Sequence, residues 1–289
     1  MNKKNINILL ITIIFFIIFL IFKNNYLFLK SINESLILFI TKVFPFLFIM
    51  MILNNLLIKC NLPYYLNKIF KRPEIYIIIM SILSGSPINA ILIKNYLDNN
   101  IINEKDASII LSFTCFNNPL FLYNSLSNIL NNNKNAYIVM FLIYLINLFY
   151  YLIIRNKLST KKINLKYEKY NLKKELFNII NDSILNLLKI MGIIIFFKTI
   201  TDLMFFNTEN ILTGILKGII EITQGLYTIS LLNISIKIKQ IIAYSIICFS
   251  GLSIQMQLSL ILENYNINYK YFYLSRLIII ILGISILIF

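Results

Sequence analysis

The chain has 289 residues, of which 58% are hydrophobic and 13% are charged, and its formal net charge is +15. A soluble domain usually carries about 25% charged residues, so the composition argues against a soluble protein. The sequence contains no histidine, which removes histidine acid–base catalysis, serine–histidine triads and most zinc or haem chemistry. The acidic residues in apolar stretches are too few and scattered for an acidic dyad. We therefore expect an all-α polytopic membrane protein that is not an enzyme and holds no metal or cofactor.

The first apolar segment, Ile6–Phe22, follows Lys3 and Lys4. It is longer than the hydrophobic region of a typical signal peptide, and no small-residue cleavage site precedes Lys23. We interpret it as a retained transmembrane helix within an N-terminal unit, residues 1–30.

Four apolar segments follow, and then four more in the same order. The first repeat, residues 31–154, contains Glu34–Leu57, Ile75–Leu97, Ala107–Leu130 and Ala136–Ile154. The second repeat, residues 176–289, contains Asp182–Phe205, Ile211–Leu232, Lys239–Leu262 and Tyr271–Phe289. The second and third segments of each repeat are interrupted by Gly, Pro or polar residues. The predicted breaks are Ser84-Gly85-Ser86-Pro87, Asn117-Asn118-Pro119, Gln224-Gly225 and Gly251-Leu252-Ser253. A bilayer tolerates unwound backbone only where protein or a water-filled cavity satisfies it, and matched interruptions in two halves indicate the substrate site of a transporter.

The basic residues predict the orientation of these segments. Eight of them lie in the connecting loop 155–175: Arg155, Lys157, Lys161, Lys162, Lys166, Lys169, Lys173 and Lys174. Basic residues in short loops mark the cytoplasmic side and contact anionic lipid, so we expect the bilayer, not nucleic acid, as the partner. With a cytoplasmic N-terminus, this loop lies on the cytoplasmic side only if Ile75–Leu97 is a re-entrant hairpin that enters and leaves the membrane on that side. Each half then has three spans and one hairpin, which inverts the second half and places the C-terminus outside.

The interruptions supply the predicted substrate site, because each creates a half-helix N-terminus that favours an anion. Glu221 is a candidate to carry a proton or cation, and the alternatives are a helix cap or a partner for Lys217. Lys42, Lys189 and Lys198 are expected to extend toward the membrane surface. The predicted substrate-binding residues are Ser84, Gly85, Ser86, Pro87, Asn117, Asn118, Pro119, Glu221, Gln224, Gly225, Gly251, Ser253, Gln255 and Gln257.

Several blocks of this sequence resemble the YlbJ family of sporulation integral membrane proteins, also called SpoVV, within the nucleoside-recognition Gate superfamily. They span most of residues 40–262. The sequence departs from the family's first motif at Ser86, Asn89 and Ile91, where relatives often have an aromatic residue, Gly and Lys. The matching blocks are Val43-Phe44-Pro45, Ser84-Gly85-Ser86-Pro87, Asn117-Asn118-Pro119, Gly218 to Gly225 and Ser250 to Gln257.

The resemblance implies a transporter in the outer forespore membrane that moves dipicolinate, a small planar dianion, from the mother cell toward the forespore. Two alternatives stay open at this point. The first is a cation-coupled carrier of a nucleoside or another neutral solute, which the amides of the predicted site would suit. The second is a non-transporting membrane scaffold for spore-envelope assembly. Related superfamilies commonly form dimers or trimers, so a homo-oligomer is a further expectation.

Overall fold

A computed structural model describes residues 3–159, 167, 172–206 and 208–288, and the secondary structure in these ranges is helical. Four lysines of the predicted basic loop lie outside the described residues: Lys161, Lys162, Lys166 and Lys169. The chain begins with α1 (Lys3–Lys23) and α2 (Asn25–Leu38). A π-helical segment, Phe39–Val43, then joins α2 directly to α3 (Phe44–Lys59).

Five helical stretches among the described residues are long and apolar enough to cross a bilayer. Three of them are built mainly from α9 (Asn133–Ile154), α10 (Leu172–Met204) and α15 (Lys270–Ile288). This arrangement confirms the predicted all-α polytopic membrane fold. The five stretches are Asn25–Lys59, Asn133–Lys157, Glu175–Met204, Ile236–Ile261 and Lys270–Ile288.

Two pairs of shorter helices form hairpins. After the short α4 (Leu62–Phe70), α5 (Glu74–Ser84) packs against α6 (Ile88–Asp98), and in the second half α11 (Ile211–Ile220) packs against α12 (Ile222–Leu231). Each helix of these pairs has 10 or 11 residues. Such a helix is about 15 Å long, roughly half the thickness of the hydrocarbon core, so the pairs suit re-entrant hairpins.

Each hairpin is followed by a helix broken in the middle. The first consists of α7 (Glu104–Thr114) and α8 (Pro119–Leu130), and the second of α13 (Ile236–Phe249) and α14 (Leu252–Ile261). The breaks at 115–118 and 250–251 confirm the predicted interruptions. The order of intact and interrupted segments is therefore the same in both halves.

The predicted position of the break in the second hairpin is wrong by three residues. α11 ends and α12 begins at Glu221, which has extended backbone, whereas Gln224 and Gly225 lie inside the first turns of α12. Gly225 is required for close helix packing, because a methyl group there would lie 2.2 Å from the Gly218 Cα atom. Gly214 and Gly218 form a small-xxx-small pattern of the kind that lets membrane helices approach closely.

Contacts between loops gather several helix ends at one end of the bundle. Lys59 forms a 3.0 Å ion pair with Glu175, which joins the end of α3 to the start of α10. Both ends of the first hairpin lie at this end of the bundle, as a re-entrant hairpin requires. The contacts that place them there include Tyr151 to Glu74 at 3.4 Å, Tyr265 to Asp98, Asn266 to Glu104 at 3.0 Å and Ser159 to Asp106 at 3.0 Å.

Candidate functional site

The break between α7 and α8 is held by donors from three different elements. Arg276 Nη1 donates to the carbonyl oxygen of Cys115 at 3.3 Å. The backbone nitrogen of Ser86 donates to the carbonyl oxygen of Phe116 at 2.6 Å. Tyr144 Oη donates to the carbonyl oxygen of Asn117 at 2.9 Å. Unwound backbone inside a bilayer must be satisfied by protein or by a cavity. Here the protein satisfies three consecutive carbonyl groups, which fixes the position of the break.

The tip of the first hairpin packs directly on this break. Gly85 has a φ of +75°, and a methyl group on it would lie 2.4 Å from the Asn118 backbone nitrogen. A side chain at position 85 would therefore be both conformationally strained and in collision with backbone. Glycine is needed here to bring the hairpin tip against the broken helix.

The second half repeats this arrangement. Gly251, with a φ of +35°, lies at the break between α13 and α14, and a methyl group on it would lie 3.0 Å from the Ile222 side chain at the tip of the second hairpin. The Cys115 thiol joins the two breaks, since its sulfur lies 3.4 Å from Ser250 Oγ and 3.2 Å from Ser86 Oγ. Both hairpin tips and both breaks thus meet in one region of the molecule.

A cavity of about 1110 Å³ opens beside this meeting point. Its volume is slightly above the usual range for small-molecule sites, roughly 300–1,000 Å³. Eight of the predicted site residues line it: Ser86, Pro87, Asn117, Asn118, Glu221, Gln224, Ser253 and Gln257.

The other six predicted residues lie outside the cavity lining. Ser84 is buried, and its hydroxyl accepts from Asn54 Nδ2 at 3.0 Å, while Gln255 donates to the Phe249 carbonyl at 3.2 Å beside a separate, smaller cavity. Pro119 begins α8, and the three glycines, at positions 85, 225 and 251, sit at close contacts between elements. These residues shape the backbone around the cavity.

Two of the four half-helix N-termini are already occupied by side chains. The Asn118 side chain accepts from the Phe121 backbone nitrogen at 2.7 Å. The Glu221 carboxylate accepts from the Gln224 backbone nitrogen at 2.9 Å and from the Thr223 hydroxyl. Glu221 is therefore a helix cap, whereas Lys217 donates to the Thr208 carbonyl at 3.2 Å. By contrast, α6 and α14 begin without a side-chain cap.

Two amide side chains are available to a ligand. Asn117 and Gln224 line the cavity, and neither side chain forms a hydrogen bond with a described residue. Asn117 is 7% exposed, and the cavity is the space that it borders. A solute in the cavity could therefore form hydrogen bonds with either amide without breaking one within the protein.

A charged cluster between α2 and α10 forms part of the cavity wall and was not predicted as a site. Lys198 Nζ lies 2.9 Å from Asp202 and 3.4 Å from Glu34, and Ser31 donates to Asp202 at 2.6 Å. Lys198 is 5% exposed, so the expectation that it extends to the membrane surface is wrong. The signal was present in the sequence, because Lys198 and Asp202 are four residues apart, the spacing at which helical charges pair.

A comparison with curated proteins now tests the family resemblance. The chain is 27% identical over 331 residues to the sporulation integral membrane protein YlbJ of Bacillus subtilis (strain 168), a match that covers 96% of this chain and 81% of the relative. The chain is therefore similar, over nearly its whole length, to a sporulation integral membrane protein of the type that the resemblance predicted. The name of this relative describes no enzymatic activity. No family model and no solved structure matches the chain.

Proposed function

We propose that this protein is a carrier that moves a small organic anion, dipicolinate by family resemblance, from the mother cell toward the forespore across the outer forespore membrane. The observation that carries the proposal is the cavity where the two hairpin tips and the two helix breaks meet. Discontinuous helices around a shared site are typical of transporters. A scaffold protein would not need unwound backbone beside a cavity of about 1110 Å³.

The charged side chains around the cavity balance one another, whereas two helix N-termini beside it favour an anion. Lys30 and Lys198 are neutralised by Glu34 and Asp202, and the Glu221 carboxylate is held by the N-terminus of α12. Lys42 and Lys217 line the cavity and have no carboxylate partner among the described residues, whereas Glu209 is the corresponding unpaired acid. Because Glu221 also has no basic partner among the described residues, four basic and four acidic side chains line the cavity and their formal charges cancel. The support for an anion comes instead from the N-termini of α6 and α14, which begin beside the cavity without a side-chain cap.

A neutral solute such as a nucleoside is the second candidate. The free amides of Asn117 and Gln224 support it, because an amide both donates and accepts hydrogen bonds and can match the polar edge of an uncharged ring. In either case the solute would be held between the hairpin tips, and movement of one group of helices against the other would change the side to which the cavity opens.

The test is uptake of labelled dipicolinate into proteoliposomes, with a labelled nucleoside as the parallel substrate. Two glutamines of α14 provide a matched pair of variants, since Gln257 lines the main cavity and Gln255 does not. We expect Gln257→Ala to lower dipicolinate uptake by about tenfold or more, as the loss of one hydrogen bond to a charged group would do, and Gln255→Ala to leave it within twofold.

Nucleoside uptake alone would replace the leading candidate by the second. Uptake of neither solute by the folded protein would contradict the carrier and favour the scaffold. Equal losses in Gln257→Ala and Gln255→Ala would contradict the position of the site.

A further inference from the structure

Arg276, in the N-terminal half of α15, is almost completely buried, with 2% of its surface exposed. Its guanidinium donates to the Ser112 carbonyl at 2.7 Å, to the Cys115 carbonyl at 3.3 Å and to Asn147 Oδ1 at 3.0 Å. It also lies 5.4 Å from the centre of the Phe272 ring. Every one of these partners is neutral, and two are free carbonyl groups at the C-terminal end of α7.

The positive charge of Arg276 is not cancelled by a neighbouring acid. No carboxylate of the described part of the chain lies within ion-pair distance of it. An arginine side chain does not lose its proton in a protein, so the charge is permanent. The C-terminal end of a helix carries only about half a negative charge. A buried group of this kind in a membrane protein is costly and points to a function.

The charge lies directly behind the wall of the cavity. Cys115, whose carbonyl binds the guanidinium, is two residues from Asn117 and contacts Ser86, and both of these residues line the cavity. The residues of break 115–118 therefore lie between the guanidinium and any solute in this part of the cavity. In a protein interior, a full charge about 10 Å from an ion changes the binding of that ion by about tenfold or more.

We propose that Arg276 makes the potential at the 115–118 break positive and so selects an anionic solute. This inference deepens the proposed function by naming the group that determines the charge of the substrate. Arg276 acts through the break and does not itself line the cavity. Its consequence for transport rests on the proposed function, but its effect on the potential does not.

The potential can be measured without knowing the substrate. Asn117→Cys, in a protein that also carries Cys60→Ser, places one thiol in the cavity wall, while Cys115 and Cys248 are buried. The rates of its reaction with a methanethiosulfonate bearing a sulfonate and with one bearing a trimethylammonium group give an anion-to-cation ratio. Cys60→Ser alone supplies the background, and Ser230→Cys provides a second position on the cavity wall.

Two substitutions test the charge of Arg276, one by deleting it and the other by neutralising it. Arg276→Gln deletes it, whereas Asn147→Asp keeps the guanidinium and places a carboxylate beside it, at the position of the present 3.0 Å contact. We expect each to lower the ratio at position 117 by about tenfold or more, and Arg276→Lys, which keeps the charge, to change it by less than threefold. Asn147→Asp provides the test if Arg276→Gln does not fold.

An unchanged ratio in Asn147→Asp would overturn the inference, as would an equal fall in Arg276→Lys and Arg276→Gln, which would indicate a purely structural role. The proposed function is judged by a different result. If the ratio falls as expected but the unmodified protein transports no dipicolinate, the substrate proposal fails and the role of Arg276 in the potential stands.

Discussion

At the scale of single residues, Glu221 has two roles that can be separated by mutation. Its carboxylate caps α12 by accepting from the Gln224 backbone nitrogen, and it also lines the cavity. Glu221→Gln keeps a side-chain oxygen for the cap, whereas Glu221→Ala removes it. We expect Glu221→Ala to lower the free energy of unfolding by about 1 kcal/mol, and Glu221→Gln to leave it nearly unchanged.

Uptake then reports whether the negative charge is used. We expect Glu221→Gln to reduce proteoliposome uptake by at least tenfold while thermal unfolding in detergent stays near that of the unmodified protein, because a carboxylate at membrane depth is retained for function. Normal uptake by Glu221→Gln would show that the residue is a cap alone.

At the scale of elements, glycine spacing controls the second hairpin. Gly225→Ala would place a methyl group 2.2 Å from the Gly218 Cα atom, so α11 and α12 would have to separate. Overpacking of this kind typically costs about 1–3 kcal/mol, and we expect a correspondingly lower unfolding temperature. The matched control is Gly192→Ala in α10, where a methyl group would meet no atom within 4 Å.

The control is expected to move in the opposite direction. Alanine is a better helix former than glycine by roughly 0.5–1 kcal/mol, so Gly192→Ala should leave stability unchanged or raise it. Thermal unfolding of both variants in the same detergent measures the difference. Equal stability of the two variants would mean that the close contact between α11 and α12 does not hold the hairpin together.

The sequence predicted the positions of three of the four helix breaks correctly, but not the position of the break in the second hairpin. Ser84-Gly85-Ser86-Pro87, Asn117-Asn118-Pro119 and the break at Gly251 were found because Gly and Pro interrupt helices for local reasons. At Glu221 a helix breaks without Gly or Pro, and the nearby Gly225 serves tertiary packing. The local sequence pattern could not distinguish a glycine that interrupts a helix from a glycine that allows two helices to pack closely.

The sequence also did not predict contacts between residues that are far apart along the chain. Arg276 and Cys115 are 161 positions apart in the sequence, and Ser31 and Asp202 are 171 apart. No periodicity within one helix predicts which residue of another helix faces it. The sequence could therefore place the eight lining residues that lie at or near its breaks, but it could not show which charged residues of other helices complete or support the cavity.

At the scale of the whole molecule, the fold predicts which loops share a side of the membrane. The loop before α5 and the loop after α6 lie at the same end of the bundle, because the first hairpin is too short to cross and turns back. The connection between α8 and α9 should lie on the opposite side. The exposed residues Lys71, Asn99 and Lys134 report these three positions.

A cysteine introduced at each of these positions, in a Cys60→Ser background where Cys115 and Cys248 are buried, can be labelled in intact cells with a membrane-impermeant maleimide. We expect Lys71→Cys and Asn99→Cys to react only after permeabilisation, because basic loops stay cytoplasmic, and Lys134→Cys to react without it. Asn233→Cys, between α12 and α13, should behave like Lys134→Cys if the second half is inverted. Labelling of Lys71→Cys and Asn99→Cys from opposite sides would make the first hairpin a span, and the inverted repeat would then be wrong.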